Sequence, residues 1–267
     1  MSDVWNHVER AADGQLATGG ITTRRQFVAA TAATVGGLGL VGLTGGRASA
    51  HHAPNLIDST QKILNLAASA EVLATIVNTV GFHRGLGGDA VTQRNIKAAA
   101  REELVHFNVL RSFGGKPASR RVWVPDAVFA SRSNFLNTLQ VGDQIFVNAY
   151  LVATKAFGEQ GEGELAVIAA EFMGVEAVHR ALARQSLGLL GNDRVFMKFD
   201  QRETAPGAPN RGQRGFDHIS HAVDQLLAAG FNFGAKGAMP GRFFDFDRVK
   251  ERTPRDSGLN TFQPDSD

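Results

Sequence analysis

The chain has no cysteine among its 267 residues, so disulfide bonds, iron–sulfur clusters, zinc–cysteine sites and thiol catalysis are all excluded. A transition metal would have to be held by histidine and carboxylate side chains, which suit iron, manganese or zinc better than copper(I). The chain also lacks a large excess of positive or negative charge, with 28 Lys and Arg residues against 26 Asp and Glu residues. The net charge of +2 indicates neither nucleic acid nor an anionic membrane as a partner.

Aromatic residues with a polar group are rare as well. The sequence has one tyrosine and two tryptophans but 18 phenylalanines. Phenylalanine buries a large apolar area without a polar atom that needs a partner. This composition favours extensive, dry contacts between helices.

The first fifty residues have the pattern of an export signal. Paired arginines in residues 23–27 (TRRQF) precede a weakly apolar run at 27–43, and Ala48-Ser49-Ala50 is an A-x-A type cleavage site. We predict that residues 1–50 are a twin-arginine signal peptide, with the twin-arginine translocon as a partner and the periplasm, cell wall or exterior as the destination. The alternative is a retained anchor, although an apolar run of about 17 residues is short for a bilayer.

Four segments with helical spacing of apolar residues follow, at about 57–82, 90–113, 133–157 and 164–189. Ser133 or Asn134 is the predicted N-cap of the third. Glycine-rich turns at 81–88 and 158–163 join the helices in pairs, and about twenty residues at 114–133 separate the pairs. Short, long and short connections predict an all-α four-helix bundle with one long crossover.

Residues 51–190 are the predicted bundle domain, and residues 191–267 are a C-terminal extension. Within the extension, residues 204–215 are rich in proline, glycine and arginine and predict a surface loop. A fifth helix is predicted at about Phe216–Ala229. The tail from Arg252 onward has little apolar content, which predicts a mobile segment.

Two copies of Glu-x-x-His lie in the second and fourth predicted helices, and each follows an acidic residue of the preceding helix by about 32 residues. Residues three apart on a helix share a face, so each motif directs a carboxylate and an imidazole to one point. Acid, Glu-x-x-His, acid, Glu-x-x-His on four helices is the ligand pattern of a dinuclear carboxylate metal site. The predicted metal ligands are Glu71, Glu103, His106, Asp143, Glu176 and His179.

The alternative for each Glu-x-x-His pair is an ordinary hydrogen bond on a helix surface. Apolar neighbours such as Phe172 and Met173 place Glu176 on a buried face instead. An unpaired buried carboxylate is too costly to retain, and two divalent cations would satisfy several carboxylates together. Tyr150 is open to three interpretations: a redox partner, a hydrogen-bond donor or a packed core residue.

Two further groups of histidines are weaker candidates. His218 and His221 with Asp217 form either a minor metal site or a half-exposed helix face. His51 and His52 would begin the mature chain and chelate copper or nickel adventitiously.

Residues 56–189 resemble the ferritin-like superfamily, in particular its exported branch related to plant desiccation-associated proteins. The resemblance lies in the segment AEVL at 70–73, the segment EELVH at 102–106 followed by Gly114-Gly115, and the segment VEAVHR at 175–180. It implies a ferritin-like fold with Glu71 and Glu103 as terminal or bridging ligands.

The same resemblance implies that His106 binds one metal, that Glu176 and His179 serve a second, and that the ions are iron or manganese. Asp143 departs from the family, which usually has Glu about seven residues before a tyrosine. Ala74 occupies a position where many relatives have another acid.

The function implied is an exported ferritin-like protein with a dinuclear iron or manganese site and an oxidase or peroxide-handling role in oxidative, metal or desiccation stress. No catalytic side chain is assigned. The alternative is a structural stress protein that keeps the bundle without a functional metal centre. A second copy of the chain is a candidate partner, and an iron-storage cage is disfavoured because the C-terminal extension would crowd its assembly contacts.

Overall fold

The computed structural model describes residues 58–192, 216 and 218–256. The predicted signal, the histidine pair at 51–52, the loop at 204–215, Asp217 and the residues beyond 256 lie outside this part of the chain.

Four long helices form the bundle, and three of them begin at a side chain that caps the backbone. The helices are α1 (Thr60–His83), α2 (Ala90–Ser112), α3 (Arg132–Glu159) and α4 (Gly163–Ser186). Ser59, Asp89 and Ser131 each accept a hydrogen bond from a backbone N–H in the first turn of α1, α2 and α3. The predicted cap of α3 at Ser133 or Asn134 is therefore wrong, because Ser131 already caps the helix two residues earlier.

Short turns pair α1 with α2 and α3 with α4. In the first turn, Gly85 and Gly88 have φ angles of 67° and 80°, which favour glycine. The predicted all-α bundle with one long crossover is confirmed. Within the described residues, α1 alone has the length and composition to span a membrane, but 78% of its apolar stretch is buried in the protein.

The crossover between α2 and α3 contains regular structure that the sequence analysis did not predict. Strand β1 (Arg121–Pro125) precedes a 3-10 helix (Asp126–Phe129). It is the central strand of an antiparallel three-stranded sheet, flanked by β2 (Asn232–Phe233) and β3 (Gly241–Asp245). Both partner strands come from the C-terminal extension, so the pairing has no local signal in the sequence.

The C-terminal extension packs on the bundle through two short helices. Helix α5 (Ser220–Ala228) is shorter than predicted, and α6 is Phe246–Lys250. The backbone N–H of Ile219, just before α5, donates to Asp58 Oδ2 at 2.9 Å. This bond fixes the beginning of α5 beside the beginning of α1.

The predicted mobile tail is wrong for residues 252–256, which contact the end of α1. The hydroxyls of Thr79 and Thr253 are 2.9 Å apart, and a ring nitrogen of His83 lies 2.8 Å from the carbonyl oxygen of Arg252. Thr253 is buried. Polar side-chain contacts therefore hold this segment despite its low apolar content.

Candidate metal centre

The structure brings all six predicted ligand residues together in the core of the bundle. Helices α1 and α3 supply one carboxylate each, and α2 and α4 supply one Glu-x-x-His motif each. Every one of the six side chains is buried. The helical spacing that placed each Glu and His on one face thus also places them on the face that the bundle buries.

The donor atoms fall into two overlapping groups, each with its atoms within 4.8 Å of one another. We call Glu71 and His106 the Glu71 half-site, and Asp143 and His179 the Asp143 half-site. Both groups contain the same two carboxylates, the shared pair Glu103 and Glu176. Glu176, which the resemblance placed with His179 alone, therefore lies within reach of both half-sites.

In the Glu71 half-site, one imidazole nitrogen faces three carboxylates. His106 Nδ1 lies 3.7 Å from Glu71 Oε2, 3.6 Å from Glu103 Oε2 and 3.5 Å from Glu176 Oε1. These separations exceed those of good hydrogen bonds. Such separations are typical of potential metal-ligand atoms that face a common point. The face of the His106 ring stacks on the ring of Phe172, and the ring centroids are 4.0 Å apart.

In the Asp143 half-site, His179 has a carboxylate on each ring nitrogen. Nδ1 lies 3.2 Å from Glu103 Oε1 and 3.7 Å from Glu176 Oε2, and Nε2 lies 2.6 Å from Glu102 Oε2. A carboxylate that accepts from Nε2 fixes the ring and leaves Nδ1 toward the cluster, as outer carboxylates of metal-bound histidines do.

Sequence reasoning missed Glu102 and Asn78. Glu102 adjoins Glu103, but its direction depends on how α2 packs against α4, which the sequence does not specify. Asn78 donates from Nδ2 to Glu103 Oε1 at 3.4 Å and to the carbonyl of Ala74 at 3.2 Å. Asn78 lies two turns after Glu71 on α1, and this spacing could have indicated that both side chains share the face toward the cluster.

Tyr150 is buried and donates its hydroxyl to Glu71 Oε1. The geometry supports two of the interpretations together, because Tyr150 is both a hydrogen-bond donor to Glu71 and a packed core residue against Phe172. Burial, followed by the nearby charge of Glu71, raises the pKa of the Tyr150 hydroxyl well above its usual value. The phenol consequently stays protonated and remains a donor.

Many of the potential metal-ligand atoms in the cluster have no hydrogen-bond partner within the described part of the chain. Nearly all buried polar groups in proteins have such a partner. Atoms without a partner destabilise a fold unless another group satisfies them. Cations satisfy this set well, because it consists of carboxylate oxygens and imidazole nitrogens that converge. The atoms are Glu71 Oε2, Glu103 Oε2, His106 Nδ1, Asp143 Oδ2, both carboxylate oxygens of Glu176, and His179 Nδ1.

Burial and mutual repulsion change the protonation of the carboxylates. Burial raises the pKa of Glu71 to about 8, and burial with the charge of Glu176 raises the pKa of Asp143 well above its usual value. The pKa of Glu103 shifts in the opposite direction. Burial acts to raise its pKa, but the imidazoles of His106 and His179 outweigh that and lower it.

The two histidines are protonated because the neighbouring carboxylates stabilise their positive charge. Burial acts to lower the pKa of His106 and His179, but the carboxylates around them raise both well above the usual value. For His106 the largest opposing contribution comes from Glu103, and for His179 from Glu102. The metal-free cluster thus holds protons that offset its negative charge, and cations would replace those protons.

The other candidate residues lie apart from this centre. His218 precedes α5, and its Nδ1 is 3.7 Å from Asp58 Oδ2. The rings of His218 and His221 have centroids 5.8 Å apart. Neither belongs to a group of potential metal ligands among the described residues.

Four helices that direct carboxylates and imidazoles into one buried cluster define a bundle protein with a candidate metal centre. Residues 59–189 match the family model described as the ferritin-like domain. This part of the chain is a ferritin-like domain, which confirms the resemblance at that level. No curated protein and no solved structure matches the chain significantly.

Proposed function

We propose that the ferritin-like domain binds two iron or manganese ions and catalyses an oxidation–reduction reaction with dioxygen or peroxide. The observation that carries this proposal is the pair of overlapping ligand groups that share Glu103 and Glu176. A carboxylate-bridged pair of such ions supplies two electrons from neighbouring metals. Oxygen and imidazole donors without thiolate suit both metals.

In this proposal each half-site would hold one ion, with the shared pair Glu103 and Glu176 available to both. Glu71 and His106 would be the further ligands of one ion, and Asp143 and His179 those of the other. Tyr150 holds Glu71 through its hydroxyl, and Glu102 orients His179. The six ligand side chains and Tyr150 are buried, which limits the access of water and strengthens every electrostatic interaction in the site.

The metal content of purified protein tests the proposal. Protein produced with iron or manganese should contain about two ions per chain, and it should melt at a higher temperature than chelated protein because metal replaces uncompensated buried carboxylates. The loaded protein should consume dioxygen or decompose peroxide. Fewer than about 0.2 ions per chain would contradict the proposal and favour the non-catalytic structural protein.

We further propose that the protein is exported by the twin-arginine pathway and acts in oxidative, metal or desiccation stress. The support for export is the sequence pattern of residues 23–50. Because this pathway carries folded proteins, metal would be bound before export. Replacing Arg24 and Arg25 together with lysine should retain the protein in the cytoplasm, as measured by cell fractionation. Unchanged export of that variant would contradict this route.

A further inference from the structure

A small cavity lies beside the Asp143 half-site, between α1, α3 and the C-terminal extension. Its volume is about 30 Å³. Its lining includes Val77, Asn78, Gly142, Asp143, Leu226 and Phe231. The cavity therefore connects a candidate metal ligand with a part of the chain that lies outside the ferritin-like domain.

The lining of the cavity is mostly apolar. Its polar residues include Asp143 and Asn78, and Asn78 donates to the shared carboxylate Glu103. Asp143 Oδ2 is one of the buried oxygens without a hydrogen bond among the described residues. Except for Thr138, the remaining lining residues are aliphatic, aromatic or glycine.

The C-terminal extension contributes part of the cavity wall. Leu226 of α5, Ala229 and Phe231 line it and are all buried. These residues follow the segment 59–189 that matches the ferritin-like domain. The hydrogen bond from the backbone N–H of Ile219 to Asp58 holds the beginning of α5 in place. The extension thus takes part in the surroundings of the metal centre.

The size and lining of the cavity select its occupant. A buried water occupies about 10–15 Å³ on this measure and needs two to four polar partners, so about 30 Å³ suits a two-atom molecule. Most of the lining offers no hydrogen bond, and an ion would lose its hydration there without replacement. A small, uncharged, apolar molecule fits these conditions.

We propose that this cavity binds dioxygen and leads it to the Asp143 side of the metal centre, with the C-terminal extension as part of its wall. The inference rests on the proposed function for its use of dioxygen. Binding of a small apolar molecule in the cavity does not require metal, so that part is tested separately.

Gly142 offers a precise way to fill the cavity. It lines the cavity on α3, and a Cβ atom added there meets no atom within 4 Å. Gly142→Leu should therefore occupy the cavity without forcing the backbone to move, and Gly142→Ala should occupy it partly. Gly158→Leu is the matched control, because Gly158 is on the same helix, is exposed and also has open space at Cβ.

Krypton-pressurised crystals of the metal-free protein test the cavity, since krypton is apolar and is located by its anomalous scattering. We expect one krypton between Gly142 and Leu226 in the wild type and in Gly158→Leu, and none in Gly142→Leu. Thermal melts of each variant establish that it is folded, and Gly142→Ala should give reduced occupancy. A wild type without krypton in this cavity would overturn the inference.

The oxidation of Fe(II)-loaded protein by dioxygen, followed by stopped-flow absorbance, tests the route. Gly142→Leu should oxidise at least about tenfold more slowly at unchanged iron content, an increase of about 1.4 kcal/mol in the barrier. Gly158→Leu should match the wild type. An unchanged rate in Gly142→Leu would overturn the route. A wild type that binds no metal would contradict the proposed function, whereas a metal-loaded wild type without krypton contradicts the cavity alone.

Discussion

The two half-sites share two carboxylates and use the same motif, yet their surroundings differ. In the Glu71 half-site, the unshared carboxylate is a glutamate that accepts from Tyr150, and His106 stacks on Phe172. In the Asp143 half-site, the unshared carboxylate is one methylene shorter, and His179 contacts the outer carboxylate Glu102. The cavity adjoins the Asp143 half-site.

For the proposed two-metal centre, this difference predicts that the two half-sites have different roles. The longer carboxylate, fixed by a phenol, favours firm retention of an ion on the Glu71 side. The shorter carboxylate and the adjoining cavity leave room for a small molecule on the Asp143 side. The fixed orientation of His179 offsets part of the affinity that a shorter Asp143 would lose.

Removing a shared carboxylate should have the largest effect, because both half-sites lose a ligand. Glu176→Ala is expected to lower metal affinity at both positions by at least about 100-fold, more than the loss of an outer carboxylate usually costs. Metal analysis after gel filtration measures it. Glu171→Ala is the matched control, since Glu171 is exposed on the same helix. Full metal content in Glu176→Ala would show that the carboxylate is not shared.

Removing an unshared carboxylate should empty one half-site and leave the other. Asp143→Ala and Glu71→Ala are each expected to lower the content from about two ions to about one. The wild type should bind its second ion more weakly, at the Asp143 half-site, and Asp143→Glu should bring the two affinities together. Isothermal titration calorimetry resolves the two steps. Loss of both ions in Asp143→Ala would contradict independent half-sites.

Removing the outer carboxylate should affect the Asp143 half-site alone. Glu102→Gln keeps the shape of the side chain but removes the negative acceptor for His179, so affinity there should fall about 10- to 100-fold. The affinity of the Glu71 half-site should change little, because the carboxylates that face His106 Nδ1 are those of Glu71, Glu103 and Glu176. The same titration measures both. Equal losses at the two positions would contradict the distinction.

Metal binding should weaken as pH falls. Glu71 and Asp143 have raised pKa values in the metal-free protein, that of Glu71 being about 8, and they must release their protons to bind a cation. Between pH 8 and pH 6 the affinity should fall about tenfold per pH unit for each proton released. Titrations in buffers of different ionisation enthalpy count the protons. Affinity independent of pH would contradict a protonated metal-free cluster.

Removing the phenol should have the smallest effect. Tyr150→Phe leaves Glu71 Oε1 without its donor, which should destabilise the metal-free protein by about 1 kcal/mol. Because a bound cation also satisfies Glu71, the effect on loaded protein should be smaller. Urea unfolding of both forms measures the difference. An equal loss in both forms would show that a bound cation does not take over the role of the hydroxyl at Glu71.

The ligand cluster was predictable because its signal is local. Residues three apart share a helix face whatever the rest of the fold does, and an apolar neighbourhood such as Phe172 beside Glu176 indicates burial. The short, long and short connections between the four helices were then sufficient to predict the topology of the bundle. The asymmetry of the centre was visible in part, because Asp143 replaces a glutamate.

The remaining features depend on contacts between distant parts of the chain. Strand β1 pairs with segments more than a hundred residues later, so nothing in its own short sequence, RVWVP, indicates which segments are its partners. Glu102 has its role only because α4 brings His179 beside it. The docking of Thr253 on Thr79 likewise follows from tertiary packing rather than from local composition.

Anomalous diffraction from crystals of iron- or manganese-loaded protein would locate the two proposed ions. We expect two metal peaks near the shared pair Glu103 and Glu176, one beside His106 and Glu71 and the other beside His179 and Asp143. Peaks elsewhere in the molecule, or no peak in the core of a fully loaded sample, would contradict the proposed two-metal centre.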